Sequence, residues 1–569
     1  METNKDVSKK DLIKGTAAGD GVAIAAGRKL IGGELADARS DVCEKWSFEV
    51  SPPPIPKKEI KGVITADVVV VGAGLAGLSA AGSAAEAGAK TMLLEKGDSP
   101  SFRGMAIAAV NSKLQKEAGI EIKRDEVVGE LMRWSGYWAD QKLVTLWADQ
   151  SAAVVDWLTD MALAAGIIPL PLSAIPQTIP GPFYKYHPVI GVNLPRWNET
   201  VAALLERNAT VRGVEFHYNT PAVQLVREGK GQVMGVVAQT SAGDYKQFNA
   251  KKGVILCTGD YGHNPDMVKK YIPERATHFT DIFYGFDREM SRNPEKLKKY
   301  IGPGALPIPD DLKAPHKNTG DGHKMGLWIG AAIDEPPHCP MLFDHAVVES
   351  PTPIFVPLTR QPFLNVNLSG ERFKNEELPY GYICNADMMQ PGHVKWVVWD
   401  AKWEEEVKRM GQIGCKALIP PLHVPPIIQV LIEKGIIKTA NNLDELVQKM
   451  QVPAETFKAT VARYNELVRQ GKDLDFGKRP ECLTTIEKAP LYAIKMGVSL
   501  LVTLGGLKIN TKLQVLDTKR NVIPGLYAAG NTSGSFFSND YPITIFGVSH
   551  SRALTFGRLA GLNAAAEQV

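Results

Sequence analysis

Asp67-Val-Val-Val-Val71-Gly72-Ala73-Gly74-Leu75-Ala76-Gly77 decides how the rest of the chain is read. Asp67–Val71 is a continuous apolar, β-branched run of the length of a strand buried on both faces. Beyond the glycines, Leu78 to Gly88 is small and helix-compatible, and a second apolar run, Thr91–Leu94, ends on Glu95. The order is strand, glycine-rich turn, helix, strand, with an acid about twenty residues past the glycines. Gly72 permits the tight turn, Gly74 lets backbone approach a pyrophosphate, and Gly77 allows close helix–strand packing. The helix N-terminus then offers N–H groups and a positive dipole end to phosphates, and Glu95 offers an acceptor to ribose hydroxyls. The stretch therefore predicts a dinucleotide site.

Bulk properties narrow the alternatives. At 569 residues the chain is too long for one core. It is 44% hydrophobic and 22% charged with a net charge of +3, which gives no reason to expect a nucleic-acid partner. The six cysteines, Cys43, Cys257, Cys339, Cys384, Cys415 and Cys482, are scattered without a CxxC, which argues for reduced thiols rather than a disulfide framework or a cluster. No apolar run reaches about eighteen residues, so no transmembrane segment is expected.

In chain order, residues 1–61 are a polar arm ending in Ser51-Pro-Pro-Pro-Ile-Pro, a stiff linker or surface strap. Ser8 to Gly19 resembles a twin-arginine export signal in which the arginine pair has become Lys9-Lys10 and Asp20 interrupts the apolar region. That decay predicts a retained, cytoplasmic protein, with export as the alternative. Asp140–Leu158 has helical apolar spacing, and Val223–Val226 with Gln232–Gln239 alternates like a hairpin. Three further glycine-rich elements follow: Lys252–Gly259 running into Asp260-Tyr-Gly-His-Asn-Pro265, Asn318–Ala331, and Val522–Asn531. The last leads to a small-residue helix over Arg552–Glu567. Nucleotide-domain pieces are thus expected at 62–339 and 491–569, with a different domain inserted over 340–490.

Taken together, GAGLAG with Glu95-Lys96, CTGDYGHNP, TGDGHKMG, GERFKNE (Gly370–Glu376) and IPGLYAAGN resemble the fumarate reductase/succinate dehydrogenase flavoprotein family, which includes 3-ketosteroid dehydrogenases. The motifs cover roughly residues 62–569 in order. The resemblance implies an α/β fold: a Rossmann-like, glutathione-reductase-type FAD-binding domain with an inserted α+β capping domain. It implies non-covalent FAD, held at Gly72, Ala73, Gly74, Ala76 and Gly77, at Glu95 and Lys96, and at Gly104 and Met105. Val223, Thr258, Gly259, Asp321, Gly530, Asn531 and Val548 complete that set. One departure is Phe102-Arg-Gly-Met-Ala-Ile107, where the family carries a glycine pair and a longer glycine-rich loop.

The substrate site departs further. Fumarate reductases carry an arginine proton donor four residues after the glutamate of GxRFxNE, and here that position is Tyr380. Their histidine before T-x-G-G is replaced by Leu501-Val502, and their carboxylate-gripping arginine segment by Ser538-Asn-Asp-Tyr-Pro542. Without those groups there is no bidentate partner for a carboxylate, which argues against fumarate and succinate. Tyr380 and Asp540-Tyr541-Pro542 instead resemble the ketosteroid dehydrogenases. In that branch one tyrosine exchanges a proton with carbon while flavin N5 exchanges a hydride. The other, with a backbone N–H, stabilises the developing enolate. The resemblance implies these roles for Tyr380, Tyr541 and Gly547, although Ile543-Thr-Ile-Phe546 replaces the glycine run expected after Pro542. His338 reads as a structural histidine. Tyr137, Phe183, Tyr184, Phe536 and Phe537 are candidate pocket aromatics, and His550 and Arg552 fall near the expected flavin pyrimidine.

The sequence thus predicts an FAD-dependent oxidoreductase acting on a carbon–carbon bond next to a ketone or conjugated ring. Its partners would be an apolar ring-containing small molecule, such as a 3-ketosteroid or plant phenolic, and an electron donor or acceptor that no motif identifies. A reductive dehydroxylase of isoflavonoid-type alcohols is the enzymatic alternative, and a non-catalytic flavin electron carrier the alternative of another class.

Overall fold

The computed structural model describes residues 45–100, 106–169, 187–194, 197–272, 293–300, 318–347, 356–410 and 425–568. The chain divides into two compact units, residues 1–50 and 51–569. In the first, only 45–50 are described, with one short 3-10 turn at Ser47–Glu49, so the expected export-like segment lies outside the described residues.

The strands of the second unit, in chain order, are β1 (Ile60–Val71), β2 (Thr91–Leu94), β3 (Ile107–Ala108), β4 (Ile190–Val192), β5 (Glu215–His217), β6 (Ala222–Arg227), β7 (Val233–Gln239), β8 (Tyr245–Leu256), β9 (Pro340–Ala346), β10 (Leu364–Val366), β11 (Val394–Asp400), β12 (Ile437–Ala440), β13 (Leu491–Thr503), β14 (Gln514–Leu516) and β15 (Val522–Ala528). An eight-stranded sheet carries the nucleotide motifs. Its parallel core runs β15–β8–β1–β2–β5, with β14 antiparallel on β15. The β6–β7 hairpin joins the first half of β8. Val68–Val71 lie between Thr91–Leu94 and Gly253–Leu256, and Val68, Val69 and Val70 are fully buried, as the apolar run requires.

The helix Leu75–Glu86 leaves the first turn, and the helix Val548–Ala566 closes the chain against it. Their approach is that of two backbones. A Cβ on Gly557 or Gly561 would fall inside the carbonyl groups of Ala76 and Ala80, one turn apart. Ser79 Oγ donates across the contact to the Leu554 carbonyl at 2.9 Å. No helix among the described residues is long and apolar enough to cross a membrane.

A second, five-stranded sheet is assembled from residues 340–503, in the antiparallel order β10–β11–β13–β12, with β9 on the far half of β13. Alternate residues face opposite cores. Val397 and Ile494 pack with Trp399, Trp403 and Leu431, while their neighbours Val398 and Ala493 pack with Phe457, Val461 and Tyr464. β13 then runs on through Thr503 to Gly505-Gly506, back to the nucleotide end. The α/β nucleotide sheet with an inserted α+β layer is the architecture the motifs implied.

Replacing Gly561 by Ala should destabilise the protein. An exposed helical Gly→Ala change gains up to about 1 kcal/mol. Here overpacking against the Ala80 carbonyl should outweigh it and cost about 1–3 kcal/mol, lowering the thermal unfolding midpoint.

Candidate active site

The C-terminal ends of β1, β2, β8 and β15 gather most of the residues assigned to the nucleotide. Gly72 turns the chain at φ +105°, and a Cβ on Gly77 would fall inside the Gly72 carbonyl oxygen, so only glycine fits there. Gly74 opens the following helix without a side-chain cap, leaving that end to backbone N–H groups. Glu95 is buried, and its two carboxylate oxygens accept from Ala73 N–H and Gly97 N–H, each at 2.7 Å. A carboxylate still has lone pairs for hydroxyl donors when so held. Lys96 pairs with Asp321 at 2.8 Å and touches Thr319 Oγ1 at 3.2 Å. Burial pushes Asp321 up, but Lys96 and Lys324 outweigh it and hold the carboxylate below its usual range.

Thr258 Oγ1 accepts Gly322 N–H at 3.0 Å and lies 3.1 Å from Thr532 Oγ1, tying the β8 turn to the Asp321 helix and to Gly530-Asn531-Thr532. Gly259 shares this junction through its carbonyl, which accepts from Thr532. Ala76 packs against Gly530. Val223 is half-buried on β6, three residues after Thr220, whose N–H donates to the Glu95 carbonyl at 2.8 Å. Gly104 and Met105 lie outside the described residues, as do Phe183 and Tyr184.

Deeper in, Arg552 is fully buried, bonded to Ser533 (3.0 Å to O) and Asn531 Oδ1 (2.9 Å), and lies over the Phe536 and Phe537 rings. Burial pulls it down to about 10, so it stays cationic at neutral pH, and its Nε has no hydrogen-bond partner. Sequence reasoning missed its neighbour Asp334. That carboxylate accepts from Ser535 N–H and Oγ and from Gly506 N–H, fixing the turn after β13. His338 packs on Gly505 and stacks on Tyr271 at 4.3 Å. Its Nε2 faces the Asp334 carbonyl at 2.8 Å, so that nitrogen carries the proton and Nδ1 accepts the Tyr261 hydroxyl at 2.6 Å. Burial pulls this imidazole down to about 4, so it is neutral near pH 7.

The tyrosine segment meets the second sheet's helix Tyr380–Met388. Gly381 lies against the Trp134 ring and the Tyr541 carbonyl, Tyr382 stacks on Trp134 at 4.3 Å, and Asn385 Nδ2 donates to Asp540 Oδ1 at 2.7 Å. The Tyr541 hydroxyl accepts Ser549 N–H at 3.4 Å, at the tip of the closing helix. Burial raises the Tyr541 phenol well above its ordinary value, more than the Ser549 bond lowers it, so it remains protonated. Gly547 caps that helix at φ +84° and accepts Ala108 N–H at 3.2 Å, and Val548 is buried behind it. Tyr380 is placed by its backbone at the helix start, and its side chain lies outside the described residues. Tyr137 is exposed, whereas Phe536 and Phe537 belong to the core around Arg552.

GERFKNE is what aims this helix. Arg372 binds Glu376 through two bonds of 2.9 Å and reaches Asp473 at 2.7 Å. Burial raises Glu376, but Lys478 and Arg372 outweigh it and hold the acid at about 2. Lys374, in the same motif, donates to the Ile383 carbonyl at 3.3 Å and pairs with Asp387, both on the Tyr380 helix.

The chain matches the FAD binding domain family over residues 67–542 and belongs to that family. It is 28% identical to the vinyl phenol reductase of Lactiplantibacillus plantarum, over 88% of this chain and 96% of that protein. It is also 28% identical to a cytochrome-type fumarate reductase of Shewanella frigidimarina, over 88% of this chain and 77% of that one. In fold it resembles the 3-ketosteroid Δ4-(5α)-dehydrogenase of Rhodococcus jostii RHA1, with a TM-score of 0.65 and 21% identity over 93% of this chain and 99% of that one. The protein is an FAD-dependent oxidoreductase. Its glycine cradle, uncapped helix end, Glu95 carboxylate and orphaned Arg552 Nε suit the cofactor's phosphates, ribose and polar ring edge.

Glu95→Ala should weaken FAD retention about 10- to 100-fold, a loss of charged hydrogen bonds in the range of about 1.5–3 kcal/mol. Flavin released on ultrafiltration reads this directly, and retention equal to the parent's would exclude the role.

Proposed function

We propose that the enzyme exchanges hydrogens across a carbon–carbon bond conjugated to a ketone or aromatic ring, in a neutral, apolar, ring-containing substrate. Residues 62–339 and 504–569 serve as the FAD-binding part and 340–503 as the cap, with 1–61 as an arm. The expected cap end at 490 moves to 503 because β13 pairs with β9, β11 and β12 of the inserted sheet. The observation that carries this reading is the chemistry of the seam between the Tyr380 helix and Tyr541. Trp134, Gly381, Tyr382, Asn385 and Tyr541 offer aromatic faces and neutral hydrogen bonds. The similarity to vinyl phenol reductase favours a phenolic ring and the reductive direction.

Bound FAD supplies the hydride chemistry. The roles of this chain's own residues follow from their protonation and surroundings. Tyr541 accepts a backbone N–H and keeps its own proton, so it can donate to a substrate oxygen on which negative charge develops. Tyr380, at the helix start, is assigned the proton exchanged with carbon. The flavin is held without a covalent bond.

Tyr541→Phe should lower turnover about 100- to 1,000-fold by removing a fixed donor. Tyr380→Phe should lower it about 10²–10⁴-fold by removing an acid or base. Both should leave the flavin spectrum intact. Because Tyr541 titrates above its ordinary value, its share of the rate should be flat from about pH 6 to about pH 9. Near-normal turnover in either variant would remove that residue's role.

Fumarate and succinate should not turn over, since neither Tyr380 nor 538–542 supplies a carboxylate clamp. A robust fumarate reductase activity in the purified protein would overturn the assignment of both segments.

A further inference from the structure

Asn385 stands four residues after Gly381, on the same face of the Tyr380–Met388 helix, and that face looks across at Asp540 and Tyr541. Its amide is anchored at one end only. Nδ2 donates to Asp540 Oδ1 at 2.7 Å, and because a carboxylate only accepts, this bond decides which end of the amide is nitrogen. The other end, Oδ1, is buried and has no hydrogen-bond partner. A buried acceptor left unmade carries a full desolvation cost, so such a group in a seam beside the site points to a donor that arrives with a ligand.

We propose that Asn385 is a specificity-determining residue, whose Oδ1 accepts a hydrogen bond from a free hydroxyl on the ring substrate, with Asp540 as its positioning residue. This deepens the function proposed above and rests on its placement of the substrate beside Tyr541. The ring would lie along the Trp134–Tyr382 stack, with its hydroxyl toward the helix face of Gly381 and Asn385. A site that hydrogen-bonds a substrate hydroxyl rejects the analogue lacking that proton, because its own buried acceptor is then left unpaired. A methyl ether, which has no proton to give, would leave Oδ1 in that condition.

The test uses the FAD-loaded full chain and two probes, para-vinylphenol and its methyl ether. Dissociation constants are read from perturbation of the oxidised flavin spectrum, which requires no turnover, and reduction of each probe is then followed separately. The parent should bind the phenol about 10- to 100-fold more tightly than the ether. Asn385→Leu should bring that ratio close to one while affinity for the ether holds or improves. Asn385→Ala takes its place if the leucine variant does not load flavin. A ratio unchanged by the substitution, an equal loss of affinity for both probes, or a parent that binds neither would overturn the assignment of Asn385. Discrimination in binding without reduction of either probe would support Asn385 and count against the proposed reaction instead.

Discussion

The carboxylate of Glu95 is the point on which the nucleotide end depends. It is buried at the end of β2, and each oxygen takes a backbone N–H, one from the turn after β1 and one from its own strand exit. Its backbone is tied on as well, its N–H to the His217 carbonyl and its carbonyl to Thr220 N–H, which links β5 and the approach to β6. Charge-assisted bonds of this kind are roughly twice as strong as neutral ones. One side chain thereby sets the spacing between the glycine turn and the strand ends. The sub-van der Waals approach that excludes a side chain at Gly77 can exist only if that spacing is kept.

A second constraint acts on the inserted sheet, and it is ionic. Arg372, Glu376, Asp473 and Lys478 form one buried network, and Lys374 of the same motif joins a second, with Asp387, Lys395 and Asp344, that holds the helix beginning at Tyr380. Buried charges are costly unless fully paired, so such a network specifies one arrangement more than it adds stability. Its effect here is to fix where the Tyr380 helix presents Gly381 and Asn385. β13 supplies the mechanical link, passing from the middle of this sheet to Gly505-Gly506, which Asp334 and His338 hold at the nucleotide end.

Much of this was legible in the sequence, for physical reasons. A strand buried on both faces has to be a continuous apolar run, and a backbone contact has to be glycine, so β1, β2, the end of β8 and β15 announced themselves. Tyr541 became a candidate because it stands in register with a motif. Asp334 and Asn385 could not be found that way: their partners are 201 and 155 residues distant, and nothing local marks either residue as a hinge of the site. Likewise, Leu491–Thr503 alternates as a strand would, but only its pairing with β9, β11 and β12 shows which sheet it joins. GERFKNE was visible as a signature, while its mechanical role, clamping the helix that carries Tyr380, emerges only from the ion pairs.

The central claim is that hydrogens pass between the flavin and a neutral, ring-conjugated carbon–carbon bond. It is tested most directly by a single turnover of the anaerobically reduced protein with para-vinylphenol in deuterium oxide. The expected result is return of the oxidised flavin band in step with product that carries deuterium on carbon. A reduced flavin indifferent to this and other neutral ring-conjugated alkenes or enones, yet promptly reoxidised by fumarate, would contradict it.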